Sequence, residues 1–205
     1  MDILNELYEK NPYDGFSEDL KLDIQGWGTN KSTLNGLIDE IKPYLIIEVG
    51  TWKGQSAINM ANHVKKTGMD CKIVCVDTWL GSLEHIRTMP LKNGYSTLYY
   101  QFLFNVKETE NTDIIIPFPN TSAVAFQWFE KNNIKADIVY IDGSHNYEDV
   151  YYDITHYYKL VRGGGILCGD DFKWRGVEMA VNHFCNYDDG KYELLNDGVV
   201  WVIRK

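Results

Sequence analysis

Short apolar runs alternate with helical stretches along most of this chain, and that alternation restricts the fold more than any other feature. Leu45–Val49, Lys72–Asp77, Asp113–Ile116, Asp137–Ile141 and Ile166–Cys168 read as strands. Helices are expected at Gln55–Lys66, around Thr97–Val106, at Ser122–Asn132 with Thr121 or Asn120 as cap, at Tyr147–Leu160 and at Arg175–Phe184. Strand and helix in strict turn mean a mostly parallel, doubly wound sheet with helices on both faces, a Rossmann-like three-layer αβα sandwich. The last two strand-like runs, Lys191–Leu195 and Val199–Ile203, flank Asn196-Asp197-Gly198, a hairpin signal. Most nucleotide-binding doubly wound folds finish on a parallel strand instead, so an antiparallel hairpin at the end is distinctive.

The chain of 205 residues suits one domain, 1–205, with a complete core. Residues 1–43 form a helical preface: a helix over Asp2–Glu9, a loop with Asn11-Pro12 and Asp14-Gly15, then a helix capped by Ser32 or Thr33 that runs through Glu40 and is closed by Pro43. Residues 79–111 are aromatic and lack clean periodicity. Within them, residues 80–96 are expected to be a mobile lid or substrate wall, interrupted by Gly81, Pro90 and Gly94. Pro117 and Pro119 are expected to end the third strand.

A net charge of −9 without any cluster of Lys and Arg argues against nucleic acid and against an anionic membrane surface. Apolar runs such as Leu45–Ile47 are far too short to span a bilayer, and the polar start MDILNELYEK is no signal peptide. Cys71, Cys75, Cys168 and Cys185 form no CxxC pair and are expected to be buried and reduced. A cytoplasmic location follows as an expectation, and a homo-oligomer is compatible with everything above.

Glu48-Val-Gly-Thr-Trp-Lys-Gly54 leaves the first strand and opens a helix. Glycines there let backbone pass close to a ligand at the carboxyl end of a strand, where open α/β sheets bind. Asp77 ends the next strand, where a carboxylate can accept both hydroxyls of a ribose. The dinucleotide pattern GxGxxG needs a middle glycine for pyrophosphate, and Trp52 stands there. Trp52 and the terminal hairpin favour S-adenosylmethionine over NAD. The plain alternative is a glycine turn used only for strand–helix packing.

Three blocks, IIEVGTWKGQSA, IVCVDTWLGS and DIVYIDGSHNYEDVYYDITHYYKLVRGGGILCGDDF, resemble class I methyltransferases. More narrowly, they resemble the small-molecule O-methyltransferases of the macrocin and mycinamicin type, over roughly residues 45–175. The resemblance implies S-adenosylmethionine as methyl donor and, from the sugar-modifying members, Mg²⁺. The donor's contacts would come from Glu48, Gly50, Thr51 and Gly54 at the first turn, from Asp77, Thr78 and Trp79 at the second, from Thr121 and Ser122 at the adenine edge, and from Asp142.

Asp142 follows the fourth strand directly, and Asp170 and Asp171 follow the fifth. Neighbouring strands lie about 4.8 Å apart, so three carboxylates would share a small volume. Like charges that close call for a cation, and hard oxygen ligands suit Mg²⁺. His145, three residues after Asp142, has a pKa suited to a general base. The resemblance assigns metal binding to Asp142, Asp170 and Asp171, and the base to His145. The plain alternatives are a turn at Asp142-Gly143 and a helix cap at Asp170-Asp171. His63, His156 and His183 read as packing or surface residues, and His85 as able to touch substrate. The expected activity is transfer of a methyl group to a small hydroxylated acceptor, a sugar or a diol. The rivals are a non-catalytic binding module of the same fold and a nicotinamide-dependent oxidoreductase.

Overall fold

The structure is a computed structural model that describes residues 2–26, 31–187 and 192–205. A short helix α1 (Ile3–Leu7), capped by the Asp2 side chain on Leu4 N–H, is followed by α2 (Lys31–Ile41), which starts ahead of both Ser32 and Thr33. Then come β1 (Leu45–Val49), α3 (Gln55–Thr67) and β2 (Lys72–Asp77). Residues 80–96, expected to be a mobile lid or substrate wall, hold a 3₁₀ turn at Leu83–His85 and a small antiparallel hairpin, β3 (Leu91–Lys92) and β4 (Tyr95–Ser96). Asn93 and Gly94 both take positive φ at its tip, the demand of a two-residue hairpin turn.

The chain continues through α4 (Leu98–Glu108), β5 (Ile115–Pro119), α5 (Ser122–Lys131), β6 (Ala136–Ile141), α6 (Tyr147–Leu160), β7 (Val161–Gly169), α7 (Arg175–Tyr187), β8 (Leu194–Asn196) and β9 (Trp201–Arg204). The start of the run expected at Lys191–Leu195 lies partly outside the described residues. The main sheet has the order β5-β2-β1-β6-β7-β9-β8, parallel except for β9, which is antiparallel to both its neighbours. Here the third strand departs from expectation: it runs through Pro117 and Pro119 instead of stopping at them. Because β5 is an edge strand, prolines that lack an N–H cost it no ladder bond on the open side.

β1 reverses the strand order between β2 and β6, which makes the switch point that open α/β sheets use for ligands. Two apolar layers cover the sheet. One gathers Ile47, Val74, Val139, Ile154 and Trp201, the other Ile46, Ile58, Ile73, Phe102 and Ile138. Alternate residues of the same strands thus feed opposite faces, which fixes the register. All four cysteines are buried and unpaired, as expected. Among the described residues, no helix is long and apolar enough to cross a membrane.

Candidate active site

The hydrogen-bonded ladder continues past the strand ends and holds them level. Gly50 N–H donates to Val76 (2.9 Å), Asp142 N–H to Val49 (2.7 Å) and Asp170 N–H to Ile141 (3.1 Å). Gly50 has φ +85, and a Cβ there would lie 2.2 Å from the Asp142 carbonyl oxygen. The first turn can therefore sit against the β6 turn only with glycine at this position. Above these ends opens a cavity of about 1030 Å³, large even for a small-molecule site and roomy enough for a donor and an acceptor together.

Of the residues expected to hold the donor, Gly50, Thr51, Asp77, Thr78, Thr121, Ser122 and Asp142 line this cavity. Thr121 also caps α5, accepting from Val124 N–H. Three others depart from expectation. Glu48 is fully buried beneath the turn, where the Thr51 hydroxyl (2.8 Å) and the Ser56 hydroxyl donate to it. It supports the loop from below and does not face the cavity. Burial, reinforced by Asp77, pushes its carboxyl up to about 7 against the pull of those hydrogen bonds. Gly54, with φ +90, turns the chain into α3 against Phe102 and also lies off the cavity wall. Trp79 is 1 % exposed, packs on Tyr99 and Phe102, and donates its Nε1–H to the Trp52 carbonyl (2.8 Å). Its ring belongs to the core and does not line the cavity.

Asp77 lines the cavity, but its oxygens are also engaged. Oδ2 accepts the backbone N–H of Thr51 and of Trp52, both at 2.9 Å, and Oδ1 accepts that of Trp79 at 2.7 Å. The carboxylate clamps the glycine turn to the end of β2.

The same cavity is lined by Asp142, His145, Asp170 and Asp171. The Tyr140 hydroxyl, at the end of a fully buried strand residue, donates to Asp170 (3.1 Å) and lies 3.5 Å from Asp142. Burial first, and then Asp170, Asp171 and Glu48, push the Asp142 carboxyl well above the usual carboxylate range. Burial also raises Asp170, opposed by the Asp171 N–H bond to its Oδ1.

The expected three-carboxylate metal set does not assemble. Asp171, at φ +58, turns its Oδ2 to His145 Nε2 at 2.9 Å, and among the described residues no three ligands are grouped to hold a metal. Asp142 and Asp170 still face one small recess, whose wall the paired Asp171 and His145 also line, and two carboxylates with water and substrate oxygens are an ordinary Mg²⁺ donor set. The destabilisation of the Asp142 carboxylate by burial and by Asp170 is the kind that a cation relieves.

His145 stacks on Trp174, ring centroids 4.3 Å apart and planes 18° from parallel. The Asp171 hydrogen bond raises its pKa above the ordinary histidine value, against burial, and Glu84 adds to the effect with Oε1 3.7 Å from Nδ1. Glu84 belongs to the 80–96 segment, whose Gly81–His85 stretch does form cavity wall.

Sequence reasoning missed Glu84, Tyr140, Tyr152, Asp153 and Trp174, and used Trp52 only as a residue that bars pyrophosphate. Tyr140 and Asp153 read as ordinary strand and helix residues, and only the turn of the fold brings them to the site. Tyr152 and Asp153, on the cavity side of α6, carried no motif of their own. Of the remaining histidines, His63 pairs with Asp39 (2.7 Å), His156 packs on Phe126 and Tyr152, and His183 meets the Tyr147 hydroxyl. His85 lines the cavity, with its ring against Trp52.

A parallel sheet in this order, closed by an antiparallel hairpin and open at one cleft over the switch point, is the class I methyltransferase architecture. Residues 47–172 match the family model described as a methyltransferase domain, and the chain belongs to that family. An uncharacterised protein of Acanthamoeba polyphaga mimivirus is 29% identical over 152 residues, which cover 71% of this chain and 62% of that protein. The chain thus spans less than two thirds of that relative's length.

Among solved structures, the O-methyltransferase TomG from Streptomyces achromogenes, in complex with SAM, matches with a TM-score of 0.62 at 14% identity over 100% of both chains. The O-methyltransferase from Bacillus cereus, in complex with SAH, matches at 0.60 and 15% identity over 98% of this chain and 90% of that one. The O-methyltransferase NovP matches at 0.62 and 16% identity over 86% of this chain and 79% of that one.

Proposed function

We propose that the chain is an S-adenosylmethionine-dependent O-methyltransferase acting on a small hydroxylated acceptor, a sugar or a diol. One observation carries the reading: a single cavity is lined both by the clamped glycine turn with Asp77 and by the His145–Asp171 pair. The donor supplies an electrophilic methyl group on a sulfonium. The backbone of Gly50–Trp52, fixed by Asp77, shapes its seat, with Thr121 and Ser122 at the adenine side.

His145 is the base. With Nε2–H donated to Asp171, Nδ1 keeps the free lone pair and takes the acceptor's hydroxyl proton as that oxygen bonds the methyl carbon and the carbon–sulfur bond breaks. Asp171 holds the tautomer and, with Glu84, steadies the imidazolium that results. Trp174 fixes the ring plane. Holding both reactants in line contributes much of the rate. Asp142 and Asp170 are the residues that would hold Mg²⁺, which when bound lowers a hydroxyl pKa.

The test is titration calorimetry with S-adenosylhomocysteine and with NADH, followed by methyl transfer to a panel of sugars and catechols. Binding of the first ligand alone, and a methylated product, are expected. No binding of S-adenosylhomocysteine would overturn the reading, and binding without transfer to any hydroxyl would leave the non-catalytic module.

A further inference from the structure

We propose that the acceptor is a cationic, amine-bearing alcohol or phenol, and not a nucleotide-linked or other anionic one. This rests on the methyltransferase reading and narrows it. The wall of the cavity carries Glu84, Asp149 and Asp153 besides Asp142, Asp170 and Asp171, and among the described residues no Lys or Arg lines it. The chain has 20 Lys and Arg, so the exclusion is local.

The lysines beside the wall in sequence are turned elsewhere. Lys53, next to Trp52, pairs with Asp23 at 2.6 Å, and the end of Lys173, next to Trp174, lies beside Gly198. A phosphate would have to find a helix N-terminus instead. The start of α6 already carries its own Glu148 and Asp149, with Asp149 held by the Ser144 hydroxyl at 2.7 Å, and the start of α5 is capped by Thr121; the start of α3, at Gln55 and Ser56, has no side-chain cap but belongs to the donor's glycine turn.

Two further observations ask for a donor-rich, positively charged ligand. Asp153 is 5 % exposed, burial pushes its carboxyl up to about 7, and its Oδ1, without a hydrogen-bond partner, calls for a donor. Trp174, half exposed beside His145, offers an aromatic face to the same space as Glu84. An aromatic face with a carboxylate beside it is a general ammonium site. The preference does not depend on the metal: with Asp142 and Asp170 neutralised by a divalent cation, Glu84 and Asp149 still line the cavity, and no Lys or Arg among the described residues lines it to offset the charge of a nucleotide diphosphate.

The experiment uses matched acceptors that differ only in charge: 4-(2-aminoethyl)catechol, 4-ethylcatechol and 3,4-dihydroxyphenylacetate, and in parallel glucosamine, glucose and glucose 1-phosphate, with S-adenosylmethionine and Mg²⁺ present. The expected order of kcat/KM is cation above neutral above anion, with about ten-fold or more between the extremes, shrinking in high salt and in Glu84→Gln. If S-adenosylhomocysteine binds and no acceptor turns over, the catalytic reading fails on its own. Equilibrium binding of the same catechols and sugars to the S-adenosylhomocysteine complex then decides the charge preference. If that ligand does not bind either, the free chain is titrated with them. Equal or reversed preference for the anions, or a preference that neither salt nor Glu84→Gln changes, overturns the proposal.

Discussion

The α-carbon of Gly50 lies against the backbone carbonyl of Asp142, so that the turn after β1 and the turn after β6 are in direct contact at the switch point. A methyl group there would sit 2.2 Å from the Asp142 oxygen, on a residue whose φ of +85 is strained for any side chain. Gly50→Ala is therefore expected to cost at least about 1–2 kcal/mol for the left-handed backbone alone. The clash adds to that by pushing the donor loop away from Asp142. The melting temperature should fall by about 4 °C or more, and S-adenosylhomocysteine affinity by at least about ten-fold. A variant that melts and binds like the parent would show that the two turns can separate freely.

Asp77 accepts three backbone N–H groups, from Thr51, Trp52 and Trp79, so its removal frees three donors at once. Hydrogen bonds to a charged group contribute about 1.5–3 kcal/mol each, though such losses are not additive. Asp77→Ala should lose both stability and donor affinity, whereas a purely ribose-binding carboxylate would lose affinity alone. Thermal melts beside calorimetry with S-adenosylhomocysteine separate the two. An unchanged melt with weakened binding would restore the simple ribose role.

The bounds of β1, β2 and α6 were legible because apolar runs there end abruptly at glycine, aspartate or a turn. The nearness of Asp142 and His145 to each other was legible because Asp142 follows β6 directly and His145 stands three residues further on. Other features depend on neighbours that no local pattern names. β5 tolerates Pro117 and Pro119 only because it is the edge strand. The Asn93-Gly94 hairpin is hidden by strands of two residues each. Asp171 and Asp170 are adjacent in sequence, yet a positive φ sends one to His145 and leaves the other with Tyr140. Glu48 and Trp79 look exposed to a ligand on a strand-end reading, but each turns under its loop and becomes core.

Glu48 links stability to pH. Its carboxyl is pushed from 4.5 to about 7 by burial, so the folded chain binds a proton more tightly than the unfolded one. The sign is fixed by that difference: the contribution is full below pH 4.5, declines as pH rises from 4.5 to about 7, and is lost above it. The whole span is worth about 3 kcal/mol. Glu48→Gln, which keeps an acceptor for Thr51 and Ser56, should flatten this slope and melt higher than the parent at pH 8. Urea unfolding at several pH values reads it, and parallel slopes for the two proteins would mean that Glu48 titrates normally.

The Asp142–Asp170 pair makes the metal testable apart from the base. Chelation with EDTA is expected to lower methyl transfer by about ten-fold or more and Mg²⁺ to restore it, because a cation that grips acceptor oxygens contributes several kcal/mol. Asp142→Asn and Asp170→Asn should both lose the Mg²⁺ response while still binding S-adenosylhomocysteine. Full activity after exhaustive chelation would remove the metal from the mechanism.

His145 and Asp171 should separate by pH profile. His145→Ala loses the base and is expected to slow turnover about 10²–10⁴-fold with little change in donor affinity. In the parent, the rate should fall on the acid side as His145 gains its proton, and Asp171, followed by Glu84, places that limb above the ordinary histidine value. Asp171→Asn removes the largest of the influences that raise it, so the limb should move to lower pH even as the maximum rate drops, because the imidazole loses its orienting partner. A structural role for Asp171 would lower the rate equally at every pH and leave the limb in place. Glu84→Gln should move the limb in the same direction by less, since its oxygen stands 3.7 Å from Nδ1 and its side chain is about half exposed. An acid limb that survives His145→Ala unchanged would assign the titration, and with it the base, to another group.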